Sequence, residues 1–145
     1  MKALIQRVKY ASVKVEGKTV GQIGEGLLVF LGVEKEDSFE NADFLSKKIC
    51  YLRIFEDEKG KMNKSVLDIN GKILIVSQFT LCADTSRGNR PGFEKAALPD
   101  EAKRLYEYFS SKVREYGVDV QNGVFGADMK VELLNNGPVT IMLEI

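Results

Sequence analysis

Apolar and polar residues alternate along much of the chain, and this pattern is typical of β-strands that bury one face. In the first 33 residues, three strands are predicted by alternation around Val13 and Val15, by the segment 19–23 and by the apolar run 27–33. The turn-forming sequence Glu16-Gly17-Lys18 separates the first two segments. The chain is therefore expected to begin with a cluster of strands.

Two segments change from the strand period to the spacing of an amphipathic helix. The first helix is predicted over about 38–52 from apolar residues that share a face: Ala42, Leu45, Ile49 and Leu52. Asp37 and Glu40 have the spacing of a capping box at its start. The second helix is predicted to begin at Pro99 and to end at Gly117, again with one apolar face: Ala102, Leu105, Phe109 and Val113.

The most informative stretch is the apolar run Ile73–Val76, which follows a turn at Asn70-Gly71. Four consecutive apolar residues predict a short strand buried on both faces. The run leads directly into Ser77-Gln78-Phe79-Thr80, so a rigid strand delivers hydroxyl, amide and aromatic groups at its end. These four residues are candidates for a functional cleft, although the hydroxyls have the alternative role of satisfying backbone groups in a turn.

The last third of the chain returns to a strand-like pattern. Segments 118–120, 125–128, 129–133 and 139–145 are predicted as strands, with a turn at Asn135-Asn136-Gly137-Pro138 before the last of them. The strands cluster instead of alternating with helices. The expected fold is an α/β single domain over residues 1–145, with mixed or antiparallel β-sheets of about seven strands, barrel-like, and two main helices.

Composition narrows the chemistry more than it narrows the fold. The chain has no histidine, which excludes Ser-His and Cys-His nucleophile pairs and the commonest zinc ligand sets. Cys50 and Cys82 are expected to be reduced, partly buried thiols, and neither a metal nor another cofactor is expected. The apolar runs are too short to span a membrane and no signal peptide is apparent, so a cytoplasmic protein is expected.

A zero net charge provides no global attraction for nucleic acid, so any such contact must be local. The long loop 83–97 contains the densest group of cations near the segment 77–80, namely Arg87, Arg90 and Lys95. They are candidates for contacts to phosphate. The alternative is a solvated loop partly neutralised by Asp84 and Glu94.

Gly137 and Pro138 form the third candidate element. Proline is tolerated at the start of a strand, but a glycine without Cβ also lets its carbonyl approach a ligand, and an X-Pro bond in the cis form would fix where that carbonyl points. Arg7 is either a surface charge or a partner for such a carbonyl. Thr80 lacks an adjacent base, so the backbone N–H groups of Phe79 and Thr80 are favoured as an oxyanion hole over Thr80 as a nucleophile.

Several segments together resemble the D-aminoacyl-tRNA deacylases along the whole chain: QRV around Arg7, VSQFTL at 76–81, GNRPGFEKAALP at 88–99, FGADM at 125–129 and NGPVT at 136–140. The resemblance implies a homodimeric cytoplasmic hydrolase without a cofactor. Its substrate would be the acceptor end of tRNA carrying a D-amino acid or glycine. Departures from the usual pattern occur at Asn136, where an acidic residue is expected, and at Gly92, where serine is expected.

The resemblance also implies residue roles. Ser77, Gln78, Phe79 and Thr80 would line the pocket for the aminoacyl-adenosine end, where Phe125 and Met129 would contact adenine. Gly137 and Pro138 correspond to a Gly-cisPro element that enters the partner subunit's pocket, with Arg7 bracing it. The family favours assistance by the 2′-hydroxyl of the terminal adenosine.

A carbonyl close to the substrate's α-carbon would exclude L-amino acids and admit D-residues and glycine. Two alternatives stay open. One is a non-catalytic module that binds RNA ends on the same fold, and the other is a deacylase that removes a mischarged L-amino acid.

Overall fold

The computed structural model describes residues 1–145. Its strands are β1 (Lys2–Val15), β2 (Lys18–Ile23), β3 (Gly26–Gly32), β4 (Phe55–Glu56), β5 (Met62–Lys64), β6 (Lys72–Ser77), β7 (Asp119–Asn122) and β8 (Lys130–Glu144). The helices are α1 (Phe39–Cys50) and α2 (Pro99–Glu115), and a 3₁₀ turn covers Phe79–Cys82. Neither α1 nor α2 has the length and apolar character of a membrane-spanning helix.

The long strand β1 organises the main sheet. One edge of β1 pairs with β8, and the other edge pairs with β3 along its first half and with β2 along its second half. Strands β3, β6 and β7 are parallel, which gives the order β2-β1-β3-β6-β7 with β8 on β1. Because β2 also packs against β6 and β7, the mixed sheet curls into a nearly closed barrel, and the predicted α/β class with two helices is confirmed.

Strand β6 is buried on both faces, as its apolar run predicts. Ile73 and Ile75 face the larger core, which contains the apolar sides of α1 and α2. Leu74 and Val76 face a smaller core inside the curled sheet. All four side chains are at most 1% exposed, so the end of this strand is a rigid support for the residues that follow.

Two predictions for the last third of the chain are wrong. Residues 135–138 do not form a turn between strands, because β8 continues through them. Its pairing with β1 shifts register between Gln6 and Val8 and again between Val8 and Tyr10. These two irregularities accommodate residues 135–138, whose residue types favour a turn, within the strand. Segment 125–128 is a turn and not a strand, since nothing pairs with it.

The predicted capping box of α1 is also wrong, although the helix begins within a residue of the predicted start. Ser38, not Asp37, is the N-cap, and it forms a capping box with Asn41 instead of Glu40. The Asp37 carboxylate is occupied by two other groups: it accepts hydrogen bonds from the Met1 amine and from the Glu34 N–H. Helix α1 ends at Cys50, two residues before the predicted end, whereas α2 begins at Pro99 as predicted.

Both cysteines are free, and both are more deeply buried than the partial burial expected from the sequence. Burial raises the pKa of the Cys50 thiol to about 12. Burial also raises the pKa of Cys82, whose Sγ lies 3.6 Å from the Val33 carbonyl oxygen. Neither sulfur has the lowered pKa of a reactive thiol.

Candidate active site

The candidate site lies where the three parallel strands β3, β6 and β7 end together. The carboxyl ends of parallel strands are where α/β sheets commonly bind ligands. Strand β6 ends at Ser77, and the Gln78 N–H still bonds to the Leu31 carbonyl of β3 at 2.8 Å. The 3₁₀ turn then begins at Phe79, so the chain leaves the sheet at the segment that the sequence singled out.

A cavity of about 300 Å³ opens at this edge, and we call it the strand-end cavity. The structure brings five of the predicted site residues to its wall: Ser77, Gln78, Phe79, Phe125 and Met129. Its remaining lining is mainly apolar and includes Leu31 and Val131. An apolar concavity with a few polar groups is the usual form of a small-molecule site.

Thr80 does not line the strand-end cavity and is exposed. Its Oγ1 lies 2.5 Å from Gln78 Nε2, which donates a hydrogen bond to it. An amide is not a base at neutral pH, so the Thr80 hydroxyl has no group to activate it. As the first residues of the 3₁₀ turn, Phe79 and Thr80 have N–H groups that no carbonyl within the turn accepts.

Sequence reasoning missed two polar residues that line the cavity. Tyr106 projects from the face of α2 that the periodicity assigned to the core, and its hydroxyl donates to the Ile75 carbonyl at 2.8 Å. Burial raises the pKa of Tyr106, so it remains a protonated donor. Asp128 is the one charged residue in the lining, and its carboxylate pairs with Lys130 at 3.0 Å. An aromatic residue within a predicted apolar face was the available signal for Tyr106.

Phe93 was also missed. Phe79 is 57% exposed, and its ring packs edge-to-face against Phe93 with the centroids 5.0 Å apart. Phe93 comes from the cation-rich loop, so this aromatic pair joins the loop to the rim of the strand-end cavity.

Arg7 is a buried cation beside Gly137. It is 5% exposed, its Nε donates to the Asn136 carbonyl at 2.8 Å and its Nη1 donates to the Ile54 carbonyl at 2.6 Å. No carboxylate lies within ion-pair distance of it. Asn136 contributes its backbone oxygen, so the departure from the family pattern at that position leaves this contact intact.

The Gly137-Pro138 peptide bond is cis, and both residues are exposed. Gly137 has a φ of +137°, and a Cβ built on it would lie 3.0 Å from Arg7 Nη2. The position therefore fits glycine for two reasons, its backbone conformation and the proximity of the arginine.

Within one chain the structure does not bring Gly137 to the strand-end cavity. Gly137 lies beside Arg7, whose register partner on β3 is Leu27, whereas Ser77 pairs with Leu31. Four residues along the strands and three strand spacings across them correspond to roughly 20 Å along the sheet.

Arg87, Arg90 and Lys95 line a different cavity of about 310 Å³, which we call the basic cavity. Asp84 and Glu94 also line it, so three cations face two carboxylates. A bridge between Asp84 and Gly92 closes the loop that carries the arginines. Nowhere in the chain do three or more His, Cys, Asp or Glu residues converge as a metal-binding group.

Comparison with known proteins gives a consistent result. The family described as D-Tyr-tRNA(Tyr) deacylase matches residues 4–144. A D-aminoacyl-tRNA deacylase of Ruegeria pomeroyi is 61% identical over 145 residues and covers 100% of both chains. That of Geotalea daltonii is 58% identical over 144 residues, covering 99% of this chain and 96% of the relative.

Two solved structures share the fold. One, titled "c-Myc DNA Unwinding Element Binding Protein", has a TM-score of 0.94 and 43% identity and covers 100% of this chain and 99% of its own. The other, a probable eukaryotic D-amino acid tRNA deacylase, has a TM-score of 0.85 and 20% identity, with coverage of 99% and 98%. The family match and the full-length relatives lead to one conclusion: this chain belongs to the D-aminoacyl-tRNA deacylases, a family of ester hydrolases.

Proposed function

We propose that this protein hydrolyses the ester of D-aminoacyl-tRNA and of glycyl-tRNA, and that it sorts substrates with the main chain of Gly137 from a second copy of itself. The observation that carries the proposal is the pairing of two separate half-sites. One is an apolar strand-end cavity lined by Ser77, Gln78 and Phe79. The other is the exposed Gly137, which follows a carbonyl, that of Asn136, held by the buried Arg7. Within one chain, Gly137 does not line the strand-end cavity.

A second copy would supply Gly137 to the cavity, and the register of the sheet supports this part of the proposal. Gly137 and Ser77 of one chain lie roughly 20 Å apart along the sheet, which is too far for both to touch one ester. A two-fold dimer would exchange the two elements symmetrically, so that each Gly137 enters the partner's cavity.

A surface suitable for this dimer lies beside the cavity. Met142, Leu4 and Phe30 form one row across β8, β1 and β3, and the row ends at Val76, one residue before Ser77. Met142 is 45% exposed, and Leu4 and Phe30 are only partly buried. An apolar row that crosses three strands and reaches the edge of the cavity suits a second copy of the same sheet face.

Sorting would follow from exclusion. A main-chain carbonyl close to the α-carbon leaves room for hydrogen but not for the side chain of an L-amino acid. A D-residue directs its side chain elsewhere, and glycine has none. This arrangement accounts for acceptance of many D-amino acids, and it also requires that glycine be rejected only weakly.

Proton transfer would be assisted by the substrate's own 2′-hydroxyl. The chain has no histidine, and the one charged group of the cavity is the Asp128 carboxylate, which pairs with Lys130. The backbone N–H groups of Phe79 and Thr80 would stabilise the negative charge that develops on the ester oxygen. The chain's part in the reaction is then positioning and charge stabilisation.

The remaining roles concern the RNA. Phe125 and Met129 would contact the terminal adenine, since both line the cavity beside Ser77. Arg87, Arg90 and Lys95 would contact phosphates of the acceptor end, and the Phe79–Phe93 contact joins their loop to the cavity rim. These contacts would weaken as the salt concentration rises.

Replacing Thr80 by alanine is expected to preserve at least about a tenth of the wild-type kcat, because only the N–H of this residue is needed. Loss of a true nucleophile would instead cost several orders of magnitude, on the order of 10⁴ or more. Single-turnover hydrolysis of D-tyrosyl-tRNA measures the difference. Complete loss of turnover with an unchanged melting temperature would restore the nucleophile role.

Replacing Asp128 by asparagine is expected to change kcat by less than about tenfold. A general base contributes typically 10²–10⁴-fold, so its removal would be obvious. Asparagine keeps the size of the side chain and removes only the charge. The pH–rate profiles of the variant and of wild type are compared. If Asp128 is a general base, the inflection that reports its ionisation should be missing from the profile of the variant; if it has no catalytic part, the two profiles should have the same shape.

One assay separates the esterase from the alternative of a non-catalytic RNA-end module. D-Tyrosyl-tRNA, L-tyrosyl-tRNA and glycyl-tRNA are incubated separately with the enzyme, and released amino acid is measured. The proposal requires release from the D and glycyl substrates with the L substrate spared. Binding without release supports a non-catalytic module that binds RNA ends. Preferential release of L-tyrosine supports a deacylase that removes a mischarged L-amino acid.

A further inference from the structure

A second concave surface adjoins the strand-end cavity. It has a volume of about 450 Å³, runs along α2 and shares two residues, Tyr106 and Phe125, with the first cavity. We call it the α2 groove. The centroids of the two aromatic rings are 5.8 Å apart, with the ring planes tilted by 53°. Because both residues line both concavities, we call this aromatic pair the partition.

The floor of the α2 groove is fixed by side-chain hydrogen bonds. Asn122 Nδ2 donates to the Tyr106 hydroxyl at 2.9 Å and to Ser110 Oγ at 2.8 Å, and Arg114 Nη2 donates to Asn122 Oδ1 at 2.6 Å. Tyr106 and Ser110 are buried. Because the amide of Asn122 is held at both ends, the groove is preorganised.

The charges of the groove favour an anion. Lys103 and Arg114 face a single carboxylate, Glu107. Lys103 is 56% exposed and lies 3.9 Å from Glu107, at the limit of an ion pair, so its ammonium group is free to contact a ligand. Arg114 is held by Asn122, which leaves Lys103 as the adaptable cation.

The partition also offers an apolar surface. Val124 is 42% exposed, and it precedes Phe125 in the loop that lines both concavities. Bases of single-stranded nucleic acid stack on aromatic and apolar side chains next to cations that contact phosphate. The α2 groove therefore combines the two features that a nucleotide requires.

We infer that the α2 groove binds the nucleotide immediately 5′ of the terminal adenosine, with its base against Val124 and Phe125 and the linking phosphate near Lys103. The inference rests on the proposed function, because it needs adenine on the cavity side of Phe125. The strand then crosses the partition at the point where the two concavities share a wall. The α2 groove is therefore expected to give a dinucleotide a higher affinity than a nucleoside.

Equilibrium binding tests the inference without any catalysis. Calorimetry compares adenosine with the dinucleotide CpA for wild type and for Lys103→Ala. Wild type is expected to bind CpA more tightly than adenosine, and Lys103→Ala is expected to lose about threefold to fivefold for CpA with adenosine unchanged, as for one exposed charge contact. The salt dependence of log Kd for CpA is expected to fall by about 0.7 in slope.

Lys48→Ala is the matched control, since Lys48 is an exposed lysine on α1 that forms no ion pair. The inference is overturned if wild type binds CpA no better than adenosine, or if Lys103→Ala weakens adenosine and CpA equally. Hydrolysis of D-tyrosyl-tRNA by wild type is measured in parallel. Absence of hydrolysis refutes the proposed function, whereas absence of the CpA advantage refutes only the groove.

Discussion

D-Tyrosyl-tRNA that ends in 2′-deoxyadenosine, with the amino acid on the 3′-oxygen, is expected to be hydrolysed at least about 100-fold more slowly than the normal substrate. This loss is the lower end of what positioned proton transfer contributes. The proposed proton carrier is the adjacent hydroxyl of the substrate, because the chain has no histidine and the one carboxylate of the strand-end cavity pairs with Lys130. Single-turnover rates give the comparison.

Two controls make this result interpretable. The spontaneous hydrolysis of each ester is measured without enzyme, because removal of the 2′-hydroxyl also changes the intrinsic reactivity of the ester. The deoxy substrate is also tested as a competitive inhibitor, which shows whether it still binds. Rates equal to those of the normal substrate would eliminate the 2′-hydroxyl from the mechanism and require a group on the protein.

Replacing Gly137 by alanine is expected to reduce kcat for D-tyrosyl-tRNA by about 100-fold or more while the protein remains folded. The new Cβ would lie 3.0 Å from Arg7 Nη2 and 3.1 Å from Val139, at a φ of +137°. A non-glycine residue in that region costs of order 1–3 kcal/mol, which the main chain would relieve by moving. A displacement of about 1 Å in a positioning element costs on the order of 10²-fold in rate.

Gly117→Ala is the matched control for this variant. Gly117 also has a positive φ, +88°, but a Cβ there meets no atom within 4 Å, and it lies at the end of α2. Both variants should lose thermal stability by similar amounts, and only Gly137→Ala should lose activity. Equal activities of the two variants would mean that Gly137 has no part in the site.

The strand-end segment was predictable because its determinants are local. Successive side chains of a strand point to opposite faces, so four apolar residues in a row are all buried only if both faces of the strand are covered. Ile73–Val76 therefore predicts a central strand with Ser77 at its end, and the structure buries all four residues. The apolar face of α2 likewise follows from its spacing, as does its start at Pro99. The roles of individual residues in substrate binding came from the family motifs, because the spacing of apolar residues carries no information about them.

The failures have non-local causes. The sequence predicts Asp37 as part of the capping box of α1, but its carboxylate accepts a hydrogen bond from the Met1 amine, which is 36 residues distant in sequence. Residues 135–138 have turn-forming types, yet β1 runs beside them and keeps them within a strand. The contact of Arg7 with the Asn136 carbonyl spans 129 residues. For the same reason, the residues alone leave Arg7 open between a surface charge and a partner for a carbonyl, and only the family resemblance favours the second role.

Subunit mixing tests the central claim most directly. Gly137→Ala impairs the element that a chain donates, whereas Ala127→Trp should fill the cavity that it offers, since Ala127 lines it. Each variant alone should be inactive. When equal amounts are unfolded and refolded together, half of the randomly formed dimers are mixed and hold one intact site each, so about a quarter of wild-type D-tyrosyl-tRNA hydrolysis should return. If the mixture stays as inactive as its components, Gly137 does not act in the cavity of a second subunit.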